Sequence, residues 1–136
     1  MSGRKIGRFA LFAVFIGLFG CGEKSEKAQL GKVSGSVEYQ GKPLSQGAIA
    51  FIPEKGHSAS GKIKDGQIVE VTTYEPGDGA PIGLHQVTIS AVDNPNADMY
   101  TKTKSVIPVK YTDPKQSGLN AQIKAGENVL KYDLKD

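Results

Sequence analysis

Two histidines and the serines beside one of them are the first residues of this 136-residue chain to test for chemistry. A serine nucleophile needs a base that a third group orients, and the adjacency of His57, Ser58 and Ser60 supplies no such group. His57 is therefore expected to be a solvated loop residue, and a hydrolase built on it is the least favoured function. His85 alternates with apolar residues of one strand face, so it is predicted to be a half-buried rim residue.

The sequence contains few residues in patterns that bind a metal ion or a phosphate group. The loop Asp93–Asp98 offers oxygen ligands, but it misses the calcium-loop spacing and lacks its glycine and bidentate glutamate. The sequence leaves open whether this loop binds calcium. Gly77, Gly79 and Gly83 do not fit a phosphate-binding glycine pattern, and no helix follows them. The sequence therefore predicts no cofactor and no resident metal.

Cys21 is the only cysteine of the chain, and it follows an apolar segment. The basic residues Arg4, Lys5 and Arg8 precede the stretch 9–19, which is apolar but shorter than the about 20 residues a membrane span needs. The order Leu-Phe-Gly-Cys at 18–21 resembles the lipobox of bacterial lipoprotein signal peptides. It implies cleavage before Cys21 and acylation of that residue, which would anchor the chain to a membrane. An ordinary cleaved signal and a chance cysteine are the alternatives.

The charge balance changes once the predicted signal is removed. The full chain has 17 basic and 14 acidic side chains, and the signal contains three basic residues and no acid, which leaves 14 against 14. Both arginines lie in the signal, and the chain has no tryptophan. Nucleic-acid binding is not expected, because it requires a basic surface. The predicted organisation is a signal peptide at 1–20, a flexible tether at 21–31 and one domain at 32–136.

Period-two alternation dominates that domain. In Val33–Tyr39 the apolar residues share one side with Gly35, whereas Ala48–Ile52 is apolar on both faces, as a covered strand should be. Further strands are predicted at 60–64, 68–74, 84–92, 119–123 and 130–134, with a short extended piece at 107–111. Ser60–Lys64 is expected to be an edge strand guarded by its lysines. The pattern predicts an all-β fold, a single antiparallel β-sandwich of about seven strands after an N-terminal signal helix.

A set of short motifs resembles one known family. The motifs, in chain order, are Gly41-Lys42-Pro43-Leu44, Pro76-Gly77-Asp78-Gly79-Ala80-Pro81, Lys110-Tyr111, Ser117-Gly118-Leu119 and Gly126-Glu127-Asn128. Together with the lipobox they resemble small planctomycete-type bacterial lipoproteins that carry a carboxypeptidase-regulatory-like domain. The resemblance implies a transthyretin-like (prealbumin-like) sandwich and a cell-envelope location, and it implies no known reaction. His85 departs from the family, whose members tend to carry an aromatic residue there.

These observations favour a lipid-anchored, exported envelope lipoprotein that acts as a non-catalytic binding or structural module. Its expected partners are the membrane, through acylated Cys21, and an envelope protein or glycan. The second hypothesis is a small-ligand or carbohydrate binder, for which Tyr74, Tyr100 and Tyr111 are the available stacking residues. Partner contact is expected through the loops 75–83 and 93–105 or through an unguarded strand edge.

Overall fold

The computed structural model describes residue 3 and residues 27–136. The predicted signal segment with its helix, Cys21 and most of the predicted tether lie outside the described residues. The described strands are β1 (Leu30–Tyr39), β2 (Lys42–Pro43), β3 (Gln46–Pro53), β4 (Ala59–Lys64), β5 (Gln67–Thr72), β6 (Ala80–Pro81), β7 (Gly83–Ser90), β8 (Leu119–Ile123) and β9 (Glu127–Leu134). A single turn of 3₁₀ helix covers Val109–Thr112. Strand β1 begins at Leu30, so the last two residues of the predicted tether are part of the sheet.

The strands form one sheet in the order β2-β1-β5-β4-β3-β7-β8, which curls into a half-barrel around a single core. The all-β, sandwich-like prediction is confirmed. Strands β6 and β9 both pair with β1, and the β1–β9 pair is parallel whereas the other pairs are antiparallel. The parallel pair is possible because β9 reaches β1 after the intervening strands have curled the sheet back on itself.

Inward-facing residues of successive strands fill the core. Val37, Ile49, Phe51, Val87 and Ile89 are almost completely buried. Phe51 is the only phenylalanine outside the predicted signal, and it lies in a core of mainly aliphatic side chains that also includes Tyr111 and Tyr132. The predicted inward rows at 119–123 and 130–134 are confirmed by the burial of Ala121, Ile123, Tyr132 and Leu134.

Strand β4 is not an edge strand. It pairs with β3 on one side and with β5 on the other, so the edge prediction for Ser60–Lys64 is wrong. Its lysines face the solvent on the outer surface of the sheet, where Lys62 lies 3.0 Å from Glu70. The pattern misled because alternating lysines mark a solvated face as readily as an edge.

A β-bulge interrupts the alternation of β5. The residue pairing between β4 and β5 shifts after Ser60, and Glu70 has a φ of +52°. As a result, the buried side chains are Ile68 and Val71, three residues apart, so the period of two predicted for the strand at 68–74 is wrong. The piece predicted as extended at 107–111 instead enters the 3₁₀ turn, which buries Tyr111.

Candidate binding loops

The longest loop, residues 93–105, has a closed base. Val92 and Ser105 form an antiparallel bridge. Next to it, the Asp93 N–H donates to the Lys104 carbonyl at 2.9 Å, and the Lys104 N–H donates to the Asp93 carboxylate at 2.9 Å. The loop therefore leaves the sheet as a hairpin-like projection with a fixed stem.

The tip of this loop is ordered by Asp98. Its carboxylate accepts the Thr101 hydroxyl at 2.7 Å, the Thr101 N–H at 2.8 Å and the Tyr100 N–H at 3.1 Å. These bonds, led by the one from the Thr101 hydroxyl, hold the pKa of Asp98 below its ordinary value. The turn presents Met99 and Tyr100 to solvent, each with 89% of its surface exposed. The turn thus displays two large apolar side chains on a preformed backbone.

The two aspartates of this loop serve the loop itself. Asp93 binds the stem and Asp98 binds the tip, so both carboxylates are engaged by backbone or hydroxyl donors of the loop. Within the part of the chain that the structure describes, no three His, Cys, Asp or Glu side chains converge as a metal site would require. This arrangement gives the calcium alternative no support.

The second predicted contact loop, residues 75–83, is organised by hydrogen bonds to Asp78. The Asp78 carboxylate accepts the backbone N–H groups of Thr73 at 2.7 Å, Tyr74 at 2.9 Å and Glu75 at 2.9 Å. Burial raises the pKa of Asp78, but these backbone bonds outweigh it and the net shift is downward. Sequence reasoning missed this role, although an aspartate followed by glycine in a glycine-rich loop is a turn signal. Gly79 crosses β1 closely, since a Cβ there would lie 2.0 Å from the Gly31 carbonyl oxygen.

Because of the Asp78 carboxylate, the free energy of unfolding is expected to depend on pH. An unfolded aspartate titrates near 3.8 and the folded one titrates lower, so its stabilisation is complete above 3.8 and is lost as the pH falls through the folded pKa. Asp78→Asn should therefore be less stable than the native chain at about pH 6, and the difference should shrink towards about pH 2.5. Urea unfolding at both pH values measures this, with the exposed Glu54→Gln as control. A difference between Asp78→Asn and the native chain that stays constant across this range would contradict the role of Asp78.

The first residues of the continuous stretch 27–136 pack against Tyr74. The Ala28 N–H donates to the Tyr74 hydroxyl at 3.1 Å. The Lys27 ammonium lies 5.6 Å from the centre of the Tyr74 ring and 3.9 Å from the Glu75 carboxylate. The His57 ring meets the same tyrosine edge-on at 5.3 Å. Tyr74 is therefore used to hold the entry of the chain into the domain.

The histidines have different surroundings. His57 is exposed, and within the described residues no hydrogen bond links it to Ser58 or Ser60, so no triad forms there.

His85 is only 3% exposed, which makes the prediction of a half-buried rim position wrong. Strand β7 carries His85 fully inside, where its ring meets Phe51 edge-on. The His85 Nε2–H donates to the Pro81 carbonyl at 2.6 Å, and the buried Nδ1 atom has no partner in the described part of the chain.

Of the three tyrosines proposed for stacking, Tyr100 alone is fully presented to solvent. Tyr111 is 6% exposed, and its hydroxyl donates to the Lys135 carbonyl at 2.7 Å and accepts the Lys135 N–H at 2.9 Å. Tyr74 is half-buried under the contacts described above. A carbohydrate site would thus have to be built around one exposed ring.

The outer face of the sheet carries a shallow groove. Strand β3 was predicted to be covered on both faces, but Ala48 is exposed and Ile52 is half-buried, so only its inner face is covered. Ile52, Leu84, Gln86 and Asn120 line a groove of about 560 Å³ there. Among the described residues that line it, His85 alone carries an aromatic ring, and that side chain is buried in the core.

Comparison of the chain with protein-family models, with curated proteins and with solved structures finds no match. Among residues 27–136, no helix is long and apolar enough to cross a bilayer.

Proposed function

We propose that this chain is a lipid-anchored, non-catalytic module of the cell envelope that binds an envelope protein through the loop 93–105. Acylated Cys21 would hold it on the membrane. The resemblance to lipoproteins with a carboxypeptidase-regulatory-like, transthyretin-like domain belongs to the same proposal. The observation that carries it is the tip of the loop, where Met99 and Tyr100 stand exposed on a turn that Asp98 fixes.

The exposure of Met99 and Tyr100 to water supports a binding role for the loop tip. Large apolar side chains exposed side by side keep apolar surface in water, and a partner that covers them would recover that free energy. Because the turn is preformed, binding would lose little further backbone entropy. Lys102 and Lys104 follow the apolar pair, so the loop also offers a charged rim.

The position of the loop fits a membrane-anchored module. The chain enters the domain at Lys27, and β1 runs away from that point for ten residues, a length of about 33 Å. The antiparallel series β1, β5, β4, β3 and β7 places the end of β7, at Ser90, on the far side from the entry. The loop 93–105 would therefore project away from the anchored end, where a partner in the envelope can reach it.

The residue inventory supports a module without catalysis. Outside the signal the chain has no arginine, and its one cysteine is the proposed lipid site. His57 packs against Tyr74 rather than against a serine. An activated nucleophile and a preformed anion clamp are the parts that a hydrolase would need.

The loop proposal predicts a selective loss of binding. Met99→Ser with Tyr100→Ser should change the free energy of unfolding by no more than about 0.5 kcal/mol, because both side chains are exposed. The same variant should lose most of the partner that a photo-crosslinking residue at Lys102 captures in whole cells. Leu84→Ser is the matched control, since Leu84 is 71% exposed but lies on the outer face of the sheet.

Capture that is undiminished in the double variant would remove this loop from the proposal. Replacement of residues 94–103 by a short Gly/Ser linker provides a stronger form of the same test, because a change in loop length costs little stability. Turnover of a hydrolase substrate that His57→Ala abolishes would overturn the non-catalytic assignment.

A further inference from the structure

Strand β9 has an open edge. Among the described strands, only β1 pairs with it, and this pairing runs in parallel from Lys32–Glu127 to Tyr39–Leu134. An eight-residue strand whose second edge is unpaired exposes a row of N–H and C=O groups to solvent, which another strand can pair with.

The backbone contacts identify which residues face that edge. The Lys32 N–H donates to the Gly126 carbonyl at 2.8 Å, and the Gln40 N–H donates to the Leu134 carbonyl at 3.0 Å. Since successive residues of a strand point their backbone groups to opposite sides, the even-numbered residues of β9 bond to β1 and the odd-numbered ones face outward. At the end of the row, the N–H and the C=O group of Lys135 both already form hydrogen bonds with the Tyr111 hydroxyl. The open stretch therefore comprises residues 127, 129, 131 and 133.

The side chains of this stretch form a self-complementary pattern. Glu127, Val129 and Lys131 are all exposed, and 80% of the surface of Val129 is accessible to solvent. An acid, an apolar residue and a base follow one another at equal spacing. When a second copy of this stretch runs in the opposite direction, each acid therefore faces a base. When two such strands run antiparallel about Val129, Glu127 of each copy lies opposite Lys131 of the other, and the two valines meet.

We propose that the β9 edge binds the β9 edge of a second copy of this chain, in an antiparallel register centred on Val129. The pairing is isologous, so it closes as a two-fold dimer and leaves no further free β9 edge. Each copy contributes the outward N–H and C=O groups of its odd-numbered residues, and these are the groups that directly opposed residues exchange in an antiparallel pair. The two ion pairs and the valine contact are the cross-strand contacts that stabilise such a pair.

Two of the neighbouring registers are disfavoured by charge. A register centred on Lys131 places two ammonium groups opposite each other. A register centred on Leu130 places Glu127 opposite Asp133 and Val129 opposite Lys131. Like charges directly opposite each other destabilise a strand pair, so these two registers are weaker than the one centred on Val129, which alone forms both Glu127–Lys131 ion pairs.

The same register suits two copies in one bilayer. Gly31 lies beside the start of β9, about three residues from the two-fold axis, and the two β1 strands are three strand spacings apart, so the two chains enter their domains about 25 Å apart. Both tethers would therefore leave from the centre of the dimer. The dimer itself does not depend on the anchor or on the loop 93–105, so it can be tested in the purified chain.

Sedimentation of the purified full chain in detergent, over a range of concentrations, tests the dimer. The native chain is expected to show a monomer–dimer equilibrium. Lys131→Glu, which sets two carboxylates opposite each other twice, should raise the dissociation constant about tenfold. Glu127→Lys combined with Lys131→Glu restores both ion pairs in reverse and should return the dissociation constant to near the native value. Asp133→Lys is the control, because Asp133 lies opposite Ala125 and outside the ion pairs.

Unchanged circular dichroism for each variant separates lost pairing from lost folding. A native chain that stays monomeric at all concentrations overturns the proposal. A double variant that does not recover, or an Asp133→Lys variant that weakens the dimer as much as Lys131→Glu, overturns the register.

Discussion

Replacing Gly35 with alanine is expected to cost roughly 3 kcal/mol or more of the free energy of unfolding. Gly35 has a φ of +152°, which disfavours residues with a side chain. A Cβ atom at this position would lie 1.9 Å from the Leu130 carbonyl oxygen, inside the β1–β9 pair. Because that oxygen belongs to the backbone of the paired strand, relief requires the two strands to separate.

Gly41→Ala is the matched control for this prediction. Gly41 also has a positive φ, of +77°, but nothing lies within 4 Å of the position its Cβ would take. Its substitution should cost about 1 kcal/mol, the penalty for backbone strain alone. Urea unfolding of both variants measures the difference. Equal costs at the two positions would show that the close approach of β1 to β9 does not matter for stability.

Substituting Cys21 with serine is expected to have the largest effect on location. Without the thiol no acyl group can be attached, so the chain should move from the membrane fraction to the soluble fraction or accumulate as an unprocessed precursor. Several acyl chains on one residue hold a protein stably on a bilayer, whereas one chain holds it only marginally. Membrane fractionation measures this change, and Ser25→Ala in the same segment should leave the distribution unchanged. A Cys21→Ser chain that is processed and still bound to the membrane would contradict the anchor.

Local alternation was sufficient to predict most of the fold. The strands around Val37, Val87 and Tyr132 follow a period of two, and their inward residues form the core. The pattern failed where a non-local contact decides the outcome. The bulge at Glu70 shifts one strand by a residue, and the parallel pairing of β9 with β1 joins segments about 95 residues apart, which no local signal reports.

The exposed loops proposed for binding could be located from the sequence, but their internal structure could not. The loop 93–105 stood out by its length and polarity, and Tyr100 within it was identified from residue type. The roles of Asp78 and Asp98 as acceptors for their own loops became visible only with the backbone geometry. The open edge of β9 could not be located either, because the lysines that suggested an edge lie on the central strand β4.

Intact-mass spectrometry of the native chain extracted from membranes tests the anchored module most directly. The predicted result is a chain that begins at Cys21 and carries the added mass of several acyl groups. A chain recovered from the soluble fraction with a free thiol at Cys21 would contradict the lipid anchor. It would leave the loop 93–105 and the β9 edge without the membrane attachment proposed for this protein.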